Sequence, residues 1–258
     1  MTYIASHDVF DFIPLLEDKS VDLLLTDPPY MNIVDDKWDN QWKTVQDYVD
    51  WMYAVLEAMK PKMKDHGSVI FFGGIGSHNE RPFFKVMDAI ESKNLYTYRN
   101  FVTWGKRRAY GKSHDYLFCR EEIVWYSMSP ERTQVTFNIP LTNIERGYEG
   151  YNKKYPAKSK FKRVTNVWSD IPELMRPKRK AQKPIPLMER LIRTHSNPGD
   201  LVVDPFAGWG TTGIAALGSG RRFFGNEGIL EDAQEANERC EAVVKALTPD
   251  INSGIVNS

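Results

Sequence analysis

The segment Leu201-Val202-Val203-Asp204-Pro205-Phe206-Ala207-Gly208-Trp209-Gly210-Thr211-Thr212-Gly213 decides the fold of this 258-residue chain. It begins as an apolar strand, passes through a glycine-rich loop and ends at the start of a helix. Gly208 and Gly210 let the backbone approach a ligand closely, and the first amides of the helix face that ligand. Glu227 follows Gly208 by 19 residues, at the end of the next strand, where a carboxylate can accept both hydroxyl hydrogens of a ribose. The segment therefore predicts a nucleoside-binding loop.

The same loop also satisfies G-x-G-x-x-G, the pattern of dinucleotide-binding dehydrogenases, through Gly208, Gly210 and Gly213. That pattern is weak on its own. In the dinucleotide fingerprint the first glycine follows the strand almost at once, whereas Asp204 to Ala207 come first here. A carboxylate at Asp204 repels a pyrophosphate and attracts the cationic amino-acid part of S-adenosylmethionine. The loop therefore favours a sulfonium cofactor over a dinucleotide.

Strands and helices alternate on both sides of the loop. Early in the chain, periodicity predicts a buried strand at Val21–Thr26, a helix at Val45–Met59 and a strand at 68–72. The late part predicts strands at 201–203 and 222–225, with helices from Thr211 and from Leu230. Such alternation is typical of a parallel sheet covered by helices. Between these blocks, 101–104 and 122–126 also resemble strands.

A second distinctive segment, Thr26-Asp27-Pro28-Pro29-Tyr30, follows the first predicted strand. The carboxyl ends of strands are where α/β sheets bind ligands. Two consecutive prolines stiffen the backbone and leave the Pro28 carbonyl to an outside donor. Together with the Asp27 carboxylate it offers two acceptors to one amino group, and the Tyr30 ring can stack on a planar base. Such hydrogen bonds free the lone pair of an aryl amine, so the segment predicts a catalytic loop; a rigid surface turn is the alternative.

Positive charge is concentrated in residues 151–183, although the whole chain has 34 basic and 34 acidic side chains. Eleven basic residues of this segment face only Asp170 and Glu173, a net charge of +9. Lys and Arg interleaved with aromatic residues suit a surface that follows a phosphate backbone; a solvated loop is the alternative. The candidate contacts are Lys153, Lys154, Lys158, Lys160, Lys162 and Arg163, with a second basic group at Lys106, Arg107 and Arg108.

The composition limits the class of protein. Hydrophobic residues make up 41% of the chain, yet no apolar run approaches the length of a membrane span. Residues 1–8 lack the basic stretch and apolar core of a secretory signal. Cys119 and Cys240 lie far apart and without metal-ligand spacing. We therefore expect a globular protein of the reducing cytoplasm, without a disulfide framework, a metal site or a membrane contact.

Together, these segments resemble the β class of amino-group DNA methyltransferases, in which the catalytic loop precedes the cofactor loop. Asp27-Pro28-Pro29-Tyr30 is similar to the catalytic motif, and 204–212 is similar to the cofactor motif. The stretches 183–187 and 196–200 resemble the segment that leads into the cofactor motif, and 223–227 resembles the ribose-binding strand. The resemblance covers most of the chain except an irregular region in the middle. Trp209 and Gly228 depart from it, since a small and a longer residue are usual there.

The resemblance implies a circularly permuted Rossmann-like fold of S-adenosylmethionine-dependent methyltransferases, an α/β fold with a mostly parallel sheet and an inserted target-recognition region. It implies a catalytic half at 1–126, the insert at 127–179, a cofactor-binding half at 180–248 and a tail at 249–258. We expect the insert to project from the sheet rather than to build it. Asp8, at the end of the opening strand, is expected to contact the adenine of the cofactor. Lys183 is expected to contact the carboxylate of the cofactor. The other expected cofactor-binding residues are Asp204, Phe206, Ala207, Gly208, Gly210, Thr211, Thr212 and Glu227.

The implied reaction is methyl transfer from S-adenosylmethionine to the N6 amino group of adenine in duplex DNA, after the target nucleotide flips out of the stack. The implied catalytic residues are Asp27, Pro28, Pro29 and Tyr30. The resemblance associates aspartate at the first of these positions with adenine more often than with cytosine, and N4-cytosine methylation is the main alternative. RNA or a protein glutamine amide as substrate, and a DNA-binding module without turnover, are the others. A homodimer and a cognate restriction endonuclease are further partners that the resemblance allows.

Overall fold

The computed structural model describes residues 3–31, 36, 38–74, 80–111, 113–114, 116–146, 159–177 and 182–248. The strands within these ranges are β1 (Ile4–Ala5), β2 (Val21–Thr26), β3 (Met63–Gly73), β4 (Thr97–Tyr110), β5 (Phe118–Ser127), β6 (Leu141–Glu145), β7 (Phe161–Arg163), β8 (Val167–Trp168), β9 (Leu201–Asp204) and β10 (Arg222–Asn226). The helices are α1 (Val9–Phe12), α2 (Val45–Met59), α3 (Pro82–Ser92), α4 (Ile185–His195), α5 (Thr211–Gly218) and α6 (Leu230–Leu247).

Eight of these strands form one sheet in the order β1-β10-β9-β2-β3-β5-β4-β8. The five strands from β1 to β3 in this order run parallel, β5 is antiparallel to both of its neighbours, and β8 is parallel to β4. The early and late parts of the chain meet at the centre, where Leu23 of β2 lies opposite Val202 of β9. The expected α/β class with a mostly parallel sheet is confirmed.

Each face of the sheet has its own apolar core. One core packs α1, α2 and α3 against the sheet, and the other packs α4, α5 and α6. Strand β2 contributes to both, because side chains alternate along a strand: Leu24 belongs to the first core, and Leu23 and Leu25 belong to the second. A strand that is buried on both faces reads as a continuous apolar run, which is why Val21–Thr26 was recognisable in the sequence.

Helix α2 spans the predicted residues Val45–Met59. Its start is set by a capping box in which the Thr44 hydroxyl accepts from the Asp47 amide at 3.1 Å, and the Asp47 carboxylate accepts from the Thr44 amide at 2.9 Å. The strands β3, β4 and β5 are longer than the predicted 68–72, 101–104 and 122–126. Most of their extra residues are polar or exposed, so apolar periodicity does not mark them; the exceptions include Met63, which is buried, and Phe118, which is half-buried.

The insert was expected to project from the sheet without contributing a strand to it, and this expectation is wrong. Strand β8 lies within it and forms the edge of the sheet beside β4. Trp168 and Ile171 are buried in the second core, and the Trp104 indole donates to the Ile171 carbonyl at 2.7 Å. Apolar burial therefore draws this part of the insert into the sheet, while β6 and β7 pair as a separate two-stranded ribbon.

Two other expectations concern the ends of the molecule. The opening strand β1 ends at Ala5 and not at Asp8, which instead caps α1 by accepting from the Phe10 amide at 2.9 Å. The predicted tail at 249–258 lies outside the described residues, as do residues 147–158 and 178–181 of the basic region. Among the residues that the structure describes, no helix is long and apolar enough to cross a membrane.

Candidate active site

The catalytic and cofactor loops meet at one edge of the sheet. Asp27 follows β2, and the glycine loop follows β9, its parallel neighbour, so both loops leave the sheet at the carboxyl ends of the strands. The Thr26 hydroxyl donates to the Asp204 carboxylate at 2.7 Å across this junction. The structure thus brings together the two segments that the sequence places far apart.

Asp27 is held by hydrogen bonds to both of its carboxylate oxygens. The Tyr30 hydroxyl donates to Oδ1 at 2.5 Å, and the Lys183 ammonium donates to Oδ2 at 2.5 Å. Burial raises the pKa of Asp27 above its ordinary value; Lys183 opposes this rise, and the nearby Glu121 adds to it. A short segment that carries an acceptor and a ring is therefore fixed before any ligand arrives.

Lys183 lies between two carboxylates. Its side chain is 5% exposed, and Nζ lies 3.3 Å from Glu121 Oε2 in addition to its contact with Asp27. Burial alone would lower the pKa of Lys183, but Asp27 and Glu121 raise it above its ordinary value. Glu121 also forms an ion pair with Lys106. Burial alone would raise the pKa of Glu121, but Lys183 and Lys106 lower it below its ordinary value. The four side chains form a chain of alternating charge.

The backbone of the catalytic loop has its own supports. The buried Asp39 carboxylate accepts from the amides of Tyr30 and Met31 at 2.8 and 2.9 Å. The Tyr48 hydroxyl, on α2, donates to the Pro29 carbonyl at 2.8 Å. Asp39, Tyr48 and Glu121 are site residues that the sequence reasoning missed. For Glu121 a signal existed, since two successive acidic residues precede an apolar strand at 123–126.

The three glycines of the cofactor loop serve different ends. Gly208 and Gly210 have φ values of +51° and +73°, which side chains rarely adopt, and a Cβ at Gly208 would meet nothing within 4 Å. A Cβ at Gly213, by contrast, would lie 2.6 Å from the Phe223 ring and 2.8 Å from the Cys240 sulfur. Gly213 therefore allows α5 to pack closely, and its match to the dinucleotide pattern has this separate cause.

Glu227 lies immediately after β10, beside the glycine loop. Its Oε2 accepts from the Gly208 amide and its Oε1 accepts from the Ile229 amide, both at 3.0 Å. Burial raises the pKa of Glu227, against the effect of these amide hydrogen bonds. Because each carboxylate oxygen has a second lone pair, Glu227 can still accept from ribose hydroxyls.

Asp204 is directed into the protein. It is 1% exposed; Oδ1 accepts from the Thr26 hydroxyl at 2.7 Å and the Phe206 amide at 3.0 Å, and Oδ2 accepts from the Thr212 hydroxyl at 2.6 Å. Burial raises the pKa of Asp204 to about 6. Asp204 and Thr212 therefore join β9, β2 and α5, and their contact with a cofactor is a prediction.

The other predicted cofactor residues line the same loop. The Phe206 ring packs on Trp51 with ring centres 5.5 Å apart, and the Ala207 amide donates to the Asn226 carbonyl at 2.8 Å. Thr211 is buried at the first position of α5. Asp8 is exposed at the start of α1, and its contact with the cofactor adenine is also a prediction.

Trp209, the unusual residue between the glycines, is turned toward α6. Its indole nitrogen donates to the Asp232 carboxylate at 3.3 Å, and its carbonyl accepts from the Arg239 guanidinium. The bulky side chain is therefore accommodated on α6 without occupying the space beside Gly208.

The predicted DNA contacts fall into three groups. Lys106 lies within β4 and forms an ion pair with Glu121. Arg107 and Arg108 follow it in the same strand, and their amides donate to the Glu173 carboxylate at 2.8 Å. Lys160, Lys162 and Arg163 are exposed on the ribbon, and Lys160 pairs with Glu145 at 3.1 Å. Lys153, Lys154 and Lys158 lie outside the described residues.

The loop fits a nucleoside cofactor. Open space lies beside Gly208, α5 begins at Gly210 without a side-chain cap, and a half-buried carboxylate stands at Glu227. The uncapped amides and the acceptor suit the polar groups of a nucleoside. No cluster of three or more metal-ligating side chains is found in the described part of the chain.

Comparison with known proteins agrees with this geometry. The DNA methylase model of N6 and N4 methyltransferases matches residues 21–238. The type II methyltransferase M1.MboII of Moraxella bovis is 28% identical over 91% of this chain and 94% of its own length. The DNA adenine methyltransferase YhdJ of Escherichia coli K12 is 30% identical over 81% of this chain and 72% of its own length.

Solved structures give the same result for the fold. TTHA0409, a DNA modification methylase of Thermus thermophilus, superposes with a TM-score of 0.68 at 25% identity, over 95% of this chain and 96% of its own. The same protein has been crystallised with S-adenosylmethionine. The extent of the family match and the two loops at one sheet edge lead to one conclusion. The chain belongs to the DNA methylase family of N6 and N4 amino methyltransferases, which use S-adenosylmethionine as the methyl donor.

Proposed function

We propose that this protein methylates the N6 amino group of adenine in duplex DNA. One observation carries the proposal. Asp27 and Tyr30 are held at the sheet edge where Glu227 and Gly208 form the nucleoside loop, so an amine at Asp27 lies beside a cofactor at Glu227. Positioning of two reactants in this way supplies a large part of the rate of group transfer.

The chain's own residues prepare the amine. Asp27 accepts a hydrogen bond from the target amino group. This hydrogen bond reduces the delocalisation of the nitrogen lone pair into the base ring. The Tyr30 ring stacks on the flipped base and offsets part of the lost base stacking. Asp39 and Tyr48 fix the loop so that these contacts need little rearrangement. S-adenosylmethionine, when bound, supplies an activated methyl group whose leaving group is a neutral thioether.

Two observations support adenine over cytosine. The 30% identical relative from Escherichia coli is a DNA adenine methyltransferase. Asp27 stands at the first position of the catalytic motif, where the family resemblance associates aspartate with adenine. N4-cytosine methylation is the alternative, because both bases present an amino group beside a ring acceptor and the same loop can hold either.

Two basic surfaces support a duplex as the partner. The hairpin between β4 and β5 leaves the sheet at the catalytic edge and carries Arg107 with the exposed side chains Tyr110 and Leu117. The ribbon of β6 and β7 presents Lys162 and Arg163. Exposed cations beside exposed apolar side chains suit contacts with phosphates and bases. We therefore assign the region 127–179 to target recognition.

One relative supports a further partner for this protein. The type II methyltransferase from Moraxella bovis supports a restriction-modification role with a cognate endonuclease. A homodimer and a cytoplasmic location complete the proposal. Sedimentation of the protein alone and co-purification with an endonuclease test these points separately from the chemistry.

The test of the reaction is the identity of the methylated nucleoside. Mixed-sequence duplex DNA is incubated with the protein and labelled S-adenosylmethionine, digested to nucleosides and analysed by mass spectrometry. We expect N6-methyladenine and no N4-methylcytosine. The control is Asp27→Asn, which keeps the shape of the side chain and removes its charge, and which we expect to lose methyl transfer while still binding the cofactor.

Other products would change the assignment in different ways. N4-methylcytosine would overturn the choice of base and leave the amino-group reaction in place. 5-Methylcytosine would contradict the amino-group mechanism, because carbon methylation needs a cysteine nucleophile. Cys240 is buried in α6 and Cys119 lies on β5, so neither belongs to the catalytic loop. Methylation of matched RNA but not of the duplex would contradict the proposed partner.

A further inference from the structure

Two carboxylates lie beside the Lys183 ammonium at unequal distances. The ammonium lies 2.5 Å from Asp27 Oδ2 and 3.3 Å from Glu121 Oε2. Glu121 Oε2 is buried and receives no well-aligned hydrogen bond within the described part of the chain, although it lies within ion-pair distance. A buried acceptor without a well-aligned donor costs free energy, and a catalytic role is one of the reasons for which a protein retains such an atom.

The pairing of Lys183 with Asp27 is in conflict with the catalytic role of Asp27. An ammonium at 2.5 Å neutralises the carboxylate and occupies the oxygen opposite the one that Tyr30 binds. The target amine needs a carboxylate that is free to accept and that retains its charge as the amine becomes positive. Lys183 must therefore move away from Asp27 before the amine can be held well.

Glu121 is placed to receive the ammonium. Its other oxygen is held by Lys106 at the end of β4, which keeps the side chain directed at Lys183. A movement of Nζ from Asp27 toward Oε2 would complete the missing hydrogen bond and keep Lys183 in a buried ion pair with Glu121, while the ion pair with Asp27 is given up.

We propose that Glu121 is a positioning residue for methyl transfer, which takes the Lys183 ammonium from Asp27 when the target amine binds. The inference rests on the role of Asp27 in the proposed function. It does not depend on which base is methylated, since adenine and cytosine both present an amino group to the loop.

The first test is a double-mutant cycle at saturating cofactor. Glu121→Gln removes the charge that holds Lys183, so the ammonium stays on Asp27 and we expect kcat to fall ~10–100-fold, as for a misplaced catalytic group, with little change in the KM for DNA. Lys183→Met removes the ammonium altogether. Adding Glu121→Gln to Lys183→Met should then cost nothing further, because Glu121 has nothing left to hold.

The second readout is the pH dependence of kcat. Within the described residues, the charged or titratable groups that act on Asp27 are Lys183 before α4, Glu121 on β5, Tyr30 in its own loop, Tyr48 on α2 and Asp204 at the end of β9. The negative charge of Glu121 raises the pKa of Asp27, so Glu121→Gln should move the acidic limb of kcat to lower pH. Glu121→Asp keeps the charge, and it should recover part of kcat with the limb near the wild-type position. A loss caused only by disturbed packing would leave the limb in place.

Three results would overturn the inference. The first is a wild-type kcat in Glu121→Gln, and the second is a pH profile of kcat in Glu121→Gln whose acidic limb does not move. The third is a double variant whose kcat is lower than that of Lys183→Met by the same factor by which Glu121→Gln lowers the kcat of the wild type. Failure of the proposed site gives a different result, namely transfer that survives Asp27→Asn. If Glu121→Gln does not fold, a crystal structure of the wild-type protein with cofactor and a short duplex decides. Lys183 within hydrogen-bond distance of Glu121 and away from Asp27 supports the inference; an unchanged pair with Asp27 contradicts it.

Discussion

The Asp204 carboxylate lies in the loop where the sequence predicts a cofactor contact, but its hydrogen bonds are made to other protein groups. The sequence suggests an acidic group beside the cofactor, and the structure places Asp204 at the correct loop. Its oxygens, however, bind Thr26, Thr212 and the Phe206 amide. Composition and spacing identify the residue, whereas the direction of its side chain depends on hydroxyl groups from β2 and α5 that come together only in the fold.

The buried carboxyl of Asp204 should make stability depend on pH. Its pKa is raised from 3.8 to about 6 by burial, so the folded state holds a proton that the unfolded chain releases. The stabilisation is complete below pH 3.8 and is lost as pH rises through about 6. Asp204→Asn cannot titrate, so its stability relative to the wild type should rise by about 2–2.5 kcal/mol between pH 4 and pH 7, which is most of the ~3 kcal/mol that the whole shift gives at about 1.36 kcal/mol per pKa unit.

Urea unfolding at several pH values measures this difference. Equal m-values in the two proteins are the control, since they show that the same surface is exposed on unfolding. A constant difference between variant and wild type across this pH range would mean that the carboxyl is ionised throughout, and would contradict the assignment.

Single residues of the site were predictable to different degrees. Asp27, Tyr30 and Glu227 stand in short segments whose chemistry is legible, and the structure brings them to one edge. Asp39 was missed, because it lies in a stretch without periodicity and acts by accepting two backbone amides. Tyr48 lies within the predicted helix Val45–Met59 and is buried, but nothing in the sequence indicated that its hydroxyl donates to the Pro29 carbonyl.

At the scale of elements, the paired ribbon of β6 and β7 is the part of the predicted insert that stands apart from the main sheet. Its two strands were not predicted because they lack an apolar alternation, and their residues are largely exposed. Strand β8 was missed for another reason: two residues are too few to show a period, and its place beside β4 is set by the burial of Trp168.

Neutralising the ribbon should weaken DNA binding and flatten its salt dependence. The variant replaces Lys160, Lys162 and Arg163 together by Gln. The slope of log affinity against log salt should become shallower by ~0.9 for each phosphate contact that is lost, ~2.7 if all three bind phosphate. Fluorescence anisotropy with a labelled duplex over a series of salt concentrations gives the slope.

The matched control neutralises Lys19, Lys60 and Lys62, which precede β2 and β3 at the opposite edge of the sheet. This variant carries the same change in net charge and should keep the wild-type slope. Equal slopes in the ribbon variant and the wild type would mean that the ribbon does not contact DNA, and an equal loss in both variants would indicate a nonspecific charge effect.

For the whole molecule, the family resemblance implied a permuted sheet, because the catalytic loop precedes the cofactor loop in the sequence. In the structure the strand before the catalytic loop pairs with the strand before the cofactor loop, with Leu23 opposite Val202. The antiparallel strand β5 was not foreseen, since its place between β3 and β4 depends on contacts between residues distant in the chain. Local patterns specify elements, and nonlocal burial decides their order.

Cofactor binding should stabilise both halves of the molecule together. The halves share one continuous sheet at β2 and β9, both cores span them, and Thr26 is bonded to Asp204 across the junction. With S-adenosylmethionine at ~100 times its Kd, the free energy of unfolding should rise by about 2.7 kcal/mol. Hydrogen exchange of those β3 and β9 amides that open only by global unfolding should therefore slow by ~100-fold, which is the factor that corresponds to this change in free energy.

Glu227→Ala tests whether this stabilisation arises at the nucleoside loop. Loss of a charged hydrogen bond to ribose weakens cofactor binding by ~1.5–3 kcal/mol, so at the same cofactor concentration the stabilisation of both strands should fall to about half or less. Glu231→Ala removes an exposed carboxylate in the first turn of α6, outside the loop, and should retain the full effect. If the cofactor slowed hydrogen exchange in β9 but not in β3, the halves would unfold separately, which would contradict a single cooperative unit. If Glu227→Ala kept the full stabilisation by the cofactor, the assignment of Glu227 to the ribose would be wrong.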